Sequence, residues 1–120
     1  MKFYLRTDHK IVMEAFKDTD LDCKCLKQLK ANTTDGAKEK HVPVVDVKDG
    51  VVNVVVGSVL HPQTPEHLIE FIVVVTTNGV YRKDLTPEDE PKASFALLPG
   101  EKVLEVYEYC NLHGLWKVVL

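Results

Sequence analysis

The strongest constraint on this 120-residue chain is how its nineteen valines fall, in short runs separated by turn-forming pairs. β-Branched side chains are stiff and fit a pleated surface, so such runs predict strands. Residues 42–48 and 51–59 flank Asp49-Gly50, a pair suited to a tight hairpin. Residues 67–77 lead into Asn78-Gly79, a second hairpin signal, and then into 80–85. Pro99-Gly100 separates 93–98 from 103–109, and 115–120 closes the chain. Seven or so short strands with turns between them predict an all-β antiparallel sandwich rather than a parallel α/β sheet.

The first 37 residues differ in texture. They lack valine runs, contain Cys23 and Cys25, and end in Asn32-Thr33-Thr34-Asp35-Gly36. Leu21, Cys25, Leu26 and Leu29 are spaced for one short amphipathic helix. The expected organisation is a small N-terminal subdomain or arm over 1–37 and a sandwich over 38–120.

A net charge of −3 argues against nucleic acid or an anionic membrane as the main partner. No apolar stretch has the length of a membrane span. The start MKFYLRTDHK has charges where a secretory signal would have its apolar core. Three cysteines make an odd count and a poor disulfide framework. Reduced thiols in a cytoplasmic protein are therefore expected.

Three blocks carry the chemistry: Glu39-Lys40-His41, HPQTPEH from His61 to His67, and Cys110-Asn111-Leu112-His113-Gly114. Together they offer four imidazoles and one thiol. Pro62 and Pro65 make the middle block a braced loop, with His67 at the entry to the next strand. Cys110 and His113 are spaced so that a thiolate and an imidazole can hold one ion. Taken singly, a histidine at a strand end is usually solvated or hydrogen-bonded, and a buried cysteine is usually a small core residue. Four histidines at strand edges or in loops, where the ends of a sandwich converge, point instead to one metal site. Imidazoles with a thiolate suit iron, copper or zinc and exclude magnesium and calcium. Structural zinc usually stops at four ligands, so five donors favour iron. Blue-copper sites use a weak axial ligand, commonly Met, soon after the histidine. Gly114, Leu115 and Trp116 follow His113 here, and the methionines are Met1 and Met13.

At these residues the sequence resembles the superoxide reductases of the desulfoferrodoxin and neelaredoxin family. The matching pieces are EKHVPVV at 39–45, VGSVLHP at 56–62, EHLIEFI at 66–72 and YEYCNLHGLWK at 107–117, in the family's order. The resemblance implies an immunoglobulin-like sandwich with one mononuclear non-haem iron. It places His41, His61, His67 and His113 in a plane around the iron, the Cys110 thiolate on the axis, and an open sixth position for superoxide. The implied reaction is one-electron reduction of superoxide to hydrogen peroxide. Lys40 would attract the anion and relay protons, and Glu39 matches the glutamate that can take the sixth position in the ferric state. The amides of Leu112 and His113 would tune the sulfur.

The chain departs from the family at Gln63, where Met is frequent, and at Phe71, where Trp is frequent. Residues 2–12, KFYLRTDHKIV, resemble the small four-cysteine domain of two-iron members. Arg6 and His9, however, stand near its first two cysteine positions, and Cys23-Lys24-Cys25 replaces its adjacent pair. No four-cysteine rubredoxin-like centre is expected; Cys23, Cys25 and His9 leave a zinc or redox site as the alternative to a degenerate domain. The implied partners are superoxide, an external electron donor such as rubredoxin, and a second copy in a homodimer. The competing functions are an iron electron carrier or gas-binding protein and a structural zinc- or copper-binding module. Lys40 favours the enzyme over a carrier, and the number of histidines favours it over a structural module.

Overall fold

The valine runs become an antiparallel β-sandwich in the computed structural model, which describes residues 1–15 and 20–120. The chain divides into two units, Met1–Ala31 and Asn32–Leu120.

In the first unit, β1 (Lys2–Arg6), β2 (Ile11–Ala15) and β3 (Leu26–Leu29) form an antiparallel sheet in the order β2-β1-β3. The short helix expected around Leu21, Cys25, Leu26 and Leu29 does not form: its last four residues are β3. Phe3 stands opposite Leu29 and Arg6 opposite Leu26. An isolated helix shorter than about 12 residues is marginal in water, whereas the edge of β1 offers a ready row of backbone donors and acceptors.

The second unit begins with one helical turn, α1 (Lys38–His41), then β4 (Pro43–Lys48), β5 (Val51–Val56), β6 (Ile69–Thr76), β7 (Val80–Asp84), β8 (Lys92–Ala96), β9 (Val103–Cys110) and β10 (Gly114–Val119). One sheet runs β4-β5-β8 and the other β10-β9-β6-β7. Seven strands split three and four in this order are an immunoglobulin-like sandwich. Alternation on β5 sends Val52, Val54 and Val56 inward, where they meet Ile72 and Val74 of β6 and Val106 of β9. Each such side chain contributes about 1.5–3 kcal/mol relative to exposure.

The turns follow their residues. Asp49 and Gly50 both take positive φ (53° and 74°), as a two-residue hairpin of matching twist requires. At Asn78-Gly79 no left-handed pair forms; the Thr76 hydroxyl instead accepts from the N–H groups of both residues. Asn32, at the head of the stretch 32–37 expected with the N-terminal segment, is bonded to β10. Asn32 N–H donates to the Leu115 carbonyl (3.0 Å), and its side chain exchanges two hydrogen bonds with the Lys117 backbone.

This topology gathers the site. The start of β4, the β5–β6 connection and the β9–β10 turn lie at one end of the sandwich, and each carries one histidine block.

Candidate metal centre

Each block is held by local hydrogen bonds. His41 ends α1, whose approach to the loop after β5 depends on Gly57: a Cβ there would lie 2.6 Å from the Glu39 carbonyl oxygen and 2.9 Å from the Lys40 carbonyl carbon. The same Glu39 carbonyl accepts from Val59 N–H (2.8 Å) and from the Ser58 hydroxyl (3.3 Å). His61 N–H donates to the Val56 carbonyl, closing that loop. Thr64 and His67 exchange backbone hydrogen bonds, and His67 N–H also donates to the Thr64 hydroxyl. Asn111 joins the third block to the second: its carbonyl oxygen accepts from Leu68 N–H (3.0 Å) and its amide donates to the Glu66 carbonyl (2.9 Å).

The four imidazoles form a closed ring. Centroid separations are 4.9 Å for His41–His61, 4.6 Å for His61–His67, 5.1 Å for His67–His113 and 4.9 Å for His113–His41. Cys110 belongs to two donor groups, one with His41 and His113 and the other with His61 and His67; within each, the ligating atoms lie within 4.8 Å of one another. Its Sγ is 3.5 Å from His61 Nε2 and 3.8 Å from His113 Nδ1. His61 Nδ1 lies 2.6 Å from the Pro62 carbonyl and donates to it, which leaves Nε2 unprotonated and facing the sulfur.

Burial and crowding disfavour the charged form of three of the ring's histidines. Burial first, then the neighbouring imidazoles, push the pKa of His41 down to about 4. His61 is also pushed down to about 4, mainly by burial, and His67 is lowered for the same reason. The Lys40 ammonium adds to the depression of all three, so its charge is felt at the ring although Lys40 and Glu39 are exposed. Burial raises the Cys110 thiol, while N–H groups of Leu112 and His113 pull it back down.

Four further residues support the ring. Trp116, buried, stacks on His41 at 5.2 Å and donates from Nε1 to the His113 carbonyl (3.0 Å). Gly36 lies against the His41 ring, the His113 Cβ and Trp116, where a Cβ would come within 3.2–3.3 Å of all three. Thr34 donates its hydroxyl to the His113 carbonyl. Glu108 is wholly buried and, among the described residues, neither carboxylate oxygen has a hydrogen-bond partner; its Oε1 lies 3.8 Å from the equally unpartnered Nδ1 of His41. Burial pushes its carboxyl well above the ordinary range. Trp116 and Glu108 lie within the motif around Cys110, but their contacts come from strand pairing that motif spacing does not display.

The two departures from the family pattern are structural. Gln63 accepts from Ile69 N–H (2.6 Å) and donates to the Ile69 carbonyl (3.2 Å), fixing the start of β6 two residues after His67. Phe71 is buried, stacked on Tyr109, with the Arg82 guanidinium 4.3 Å from its ring centre. His9, Cys23 and Cys25 belong to the first unit. Among the described residues no third metal-ligating side chain groups with Cys23 and Cys25.

The donor set fits a borderline-soft transition metal. Four imidazoles surround one thiol, and among the described residues the buried His67 Nε2 has no hydrogen-bond partner. An imidazole nitrogen kept dry and unpaired costs free energy unless something binds it.

Comparison with known proteins gives the family. The sequence model of the family described as Desulfoferrodoxin matches residues 33–119. A desulfoferrodoxin of Syntrophotalea carbinolica is 49% identical over 78% of this chain and 72% of its own. The crystal structure of the superoxide reductase from Treponema pallidum superposes with a TM-score of 0.81 at 41% identity, covering 98% of this chain and 97% of that one. The superoxide reductase from Giardia intestinalis gives 0.59 at 33% identity, covering 69% and 98%. By sequence and by fold, the chain belongs to the desulfoferrodoxin family.

Proposed function

We propose that this chain is a superoxide reductase, adding one electron and two protons to superoxide to give hydrogen peroxide without releasing dioxygen. The observation that carries this is the closed ring of four imidazoles with the Cys110 sulfur in both of its donor groups. His41, His61, His67, His113 and Cys110 are the residues that would hold one iron per chain. Bound there, iron supplies a one-electron reductant whose charge, set against one thiolate, leaves the ferrous site about one unit positive.

The protein's own groups do the rest. Neutral imidazoles are available as ligands at pH 7 without first losing a proton. The Leu112 and His113 amides stabilise charge on sulfur. Lys40 stands exposed beside the ring and adds a positive charge that draws in an anion and can hydrogen-bond to developing peroxide. Glu39, exposed on the same turn, provides a carboxylate able to approach the centre when superoxide is absent. The N-terminal segment, 1–37, is desulforedoxin-like without the cysteines for a four-sulfur iron, so electrons come from an external donor such as rubredoxin. We place the protein in the cytoplasm, as a homodimer.

The test is metal content together with the visible spectrum before and after oxidation. One iron per chain, a thiolate-to-iron band that appears on oxidation, and superoxide consumption without dioxygen release are expected. Zinc alone after anaerobic purification, with no redox-dependent band, overturns the proposal.

A further inference from the structure

The cysteines left outside the metal centre are paired with each other. Cys23 Sγ and Cys25 Sγ lie 2.9 Å apart, nearer than ordinary contact between two sulfurs, and both are free thiols. Cys23 is exposed and Cys25 half-buried, at the turn that feeds β3. The turn is fixed on both sides: Leu26 N–H donates to the Cys23 carbonyl (3.0 Å), and Thr7 donates to the Cys25 carbonyl from its backbone (2.9 Å) and its hydroxyl (3.3 Å). Two residues apart, their Cα atoms are at most about 7 Å from each other, which covers the disulfide range.

The surroundings give the two sulfurs unequal roles. A hydrogen bond from Cys25 and one from the backbone pull the Cys23 thiol down, with help from the Arg6 guanidinium; the same contact with Cys23 pushes Cys25 up. Arg6 is held by a bidentate pair with Asp8, at 2.8 and 3.1 Å. This is the microenvironment of a reactive thiolate with a resolving partner beside it. A metal site is less well served, because His9 pairs with Asp8 at 3.5 Å and no third donor groups with the sulfurs among the described residues.

We propose that Cys23 and Cys25 form a peroxide-reactive dithiol that reduces hydrogen peroxide to water and closes to a disulfide. The Cys23 thiolate attacks one peroxide oxygen; the S–O bond forms as the O–O bond breaks, and the departing hydroxide takes a proton to become water. Cys25 sulfur then attacks the Cys23 sulfenic acid; the S–S bond forms, the S–O bond breaks, and a second water leaves. Two thiols lose two electrons and two protons to one peroxide, and a small dithiol reopens the bridge by exchange. An exposed bridge between such near neighbours belongs with the labile disulfides rather than the structural ones. The oxidant is the product of the reaction proposed above, but the couple is tested with added peroxide and so stands apart from that proposal.

The experiment uses the full-length reduced protein, treated anaerobically with hydrogen peroxide, quenched by alkylation and mapped by mass spectrometry. Cys23 and Cys25 should lose alkylation together, with loss of two hydrogens from their segment, and regain it with dithiothreitol. Cys25→Ser should accumulate a sulfenic acid at Cys23 that dimedone traps. Cys23→Ser should leave Cys25 alkylatable, and Arg6→Gln should slow the oxidation severalfold near neutral pH. Both thiols remaining alkylatable in excess peroxide overturns the proposal. So does wild-type-rate oxidation of Cys25 in Cys23→Ser, or zinc that copurifies with the wild type and is lost with Cys23→Ser.

Discussion

Lys40 is the residue at which attraction of the substrate separates from integrity of the site. It is exposed and offers no ligand, yet its charge depresses three of the four imidazoles. Lys40→Ala should leave iron content and spectrum unchanged while the rate with superoxide falls by about tenfold or more, with a weaker dependence on ionic strength. Stopped-flow rates across a salt series check this, and an unchanged rate removes Lys40 from the mechanism. Glu108 presents the opposite balance. Its buried carboxyl has no partner among the described residues and lies 3.8 Å from His41 Nδ1, too far for a hydrogen bond in this state but well placed to orient the ring. Glu108→Leu should therefore raise thermal stability by removing a costly buried polar group. It should also weaken metal binding by about 10–100-fold, because His41 loses its neighbour. A melting curve and a competitive chelator titration read the two effects separately; loss of both together would mean that Glu108 is merely structural. That four histidines and Cys110 belong together was legible because coordinating residue types are few and occur in short blocks. Glu108 was not, because its meaning lies in the absence of partners, which only the packed strand reveals.

Among the elements, the hairpins were the most legible part of the fold. Asp49-Gly50 forms the turn its residues demand, and Gly100 takes a φ of +80° after Pro99, with Glu101 N–H returning to the Leu98 carbonyl. Less legible was whatever depends on a neighbouring element, as with β3, whose four residues pair with β1 instead of coiling. The turn α1 is another such case, since its position is set from outside by Gly57. Adding a methyl at Gly57 forces it onto the Glu39 carbonyl oxygen at 2.6 Å, and backbone atoms cannot move aside cheaply. Gly57→Ala should cost about 1–3 kcal/mol of stability. By shifting the turn, it should also lower both iron retention and the superoxide rate. Gly79→Ala is the matched control, for no atom lies within 4 Å of a Cβ there. Equal losses from the two substitutions would show that no close approach at Gly57 is needed to place Lys40 and His41.

At the scale of the molecule, the sandwich turns sequence-distant blocks into one ring, and the ring makes stability depend on pH. Block order in the sequence indicated what the site contains; that the three blocks meet follows from the strand order, which places their loops at one end. The cost of that convergence is four imidazoles in mutual contact, two of them with pKa values pushed from 6.5 to about 4. In the unfolded chain these histidines take up protons near pH 6.5, whereas in the folded metal-free protein they resist until about pH 4. The unfolded state therefore binds more protons across this window. The contribution is fully present above about pH 6.5 and is lost as pH falls toward 4. Thermal melts of the chelator-treated protein should show Tm falling from pH 7 to pH 5, above the range in which most carboxylates titrate. Metal-loaded protein should melt higher at pH 7, because the ion binds only the assembled ring. This advantage should shrink on acidification as protons compete for the same nitrogens. A melting temperature of the metal-free protein that stays level between pH 7 and 5 would mean that the imidazoles are neither buried nor crowded enough to resist protonation, and that the ring forms only around its ion.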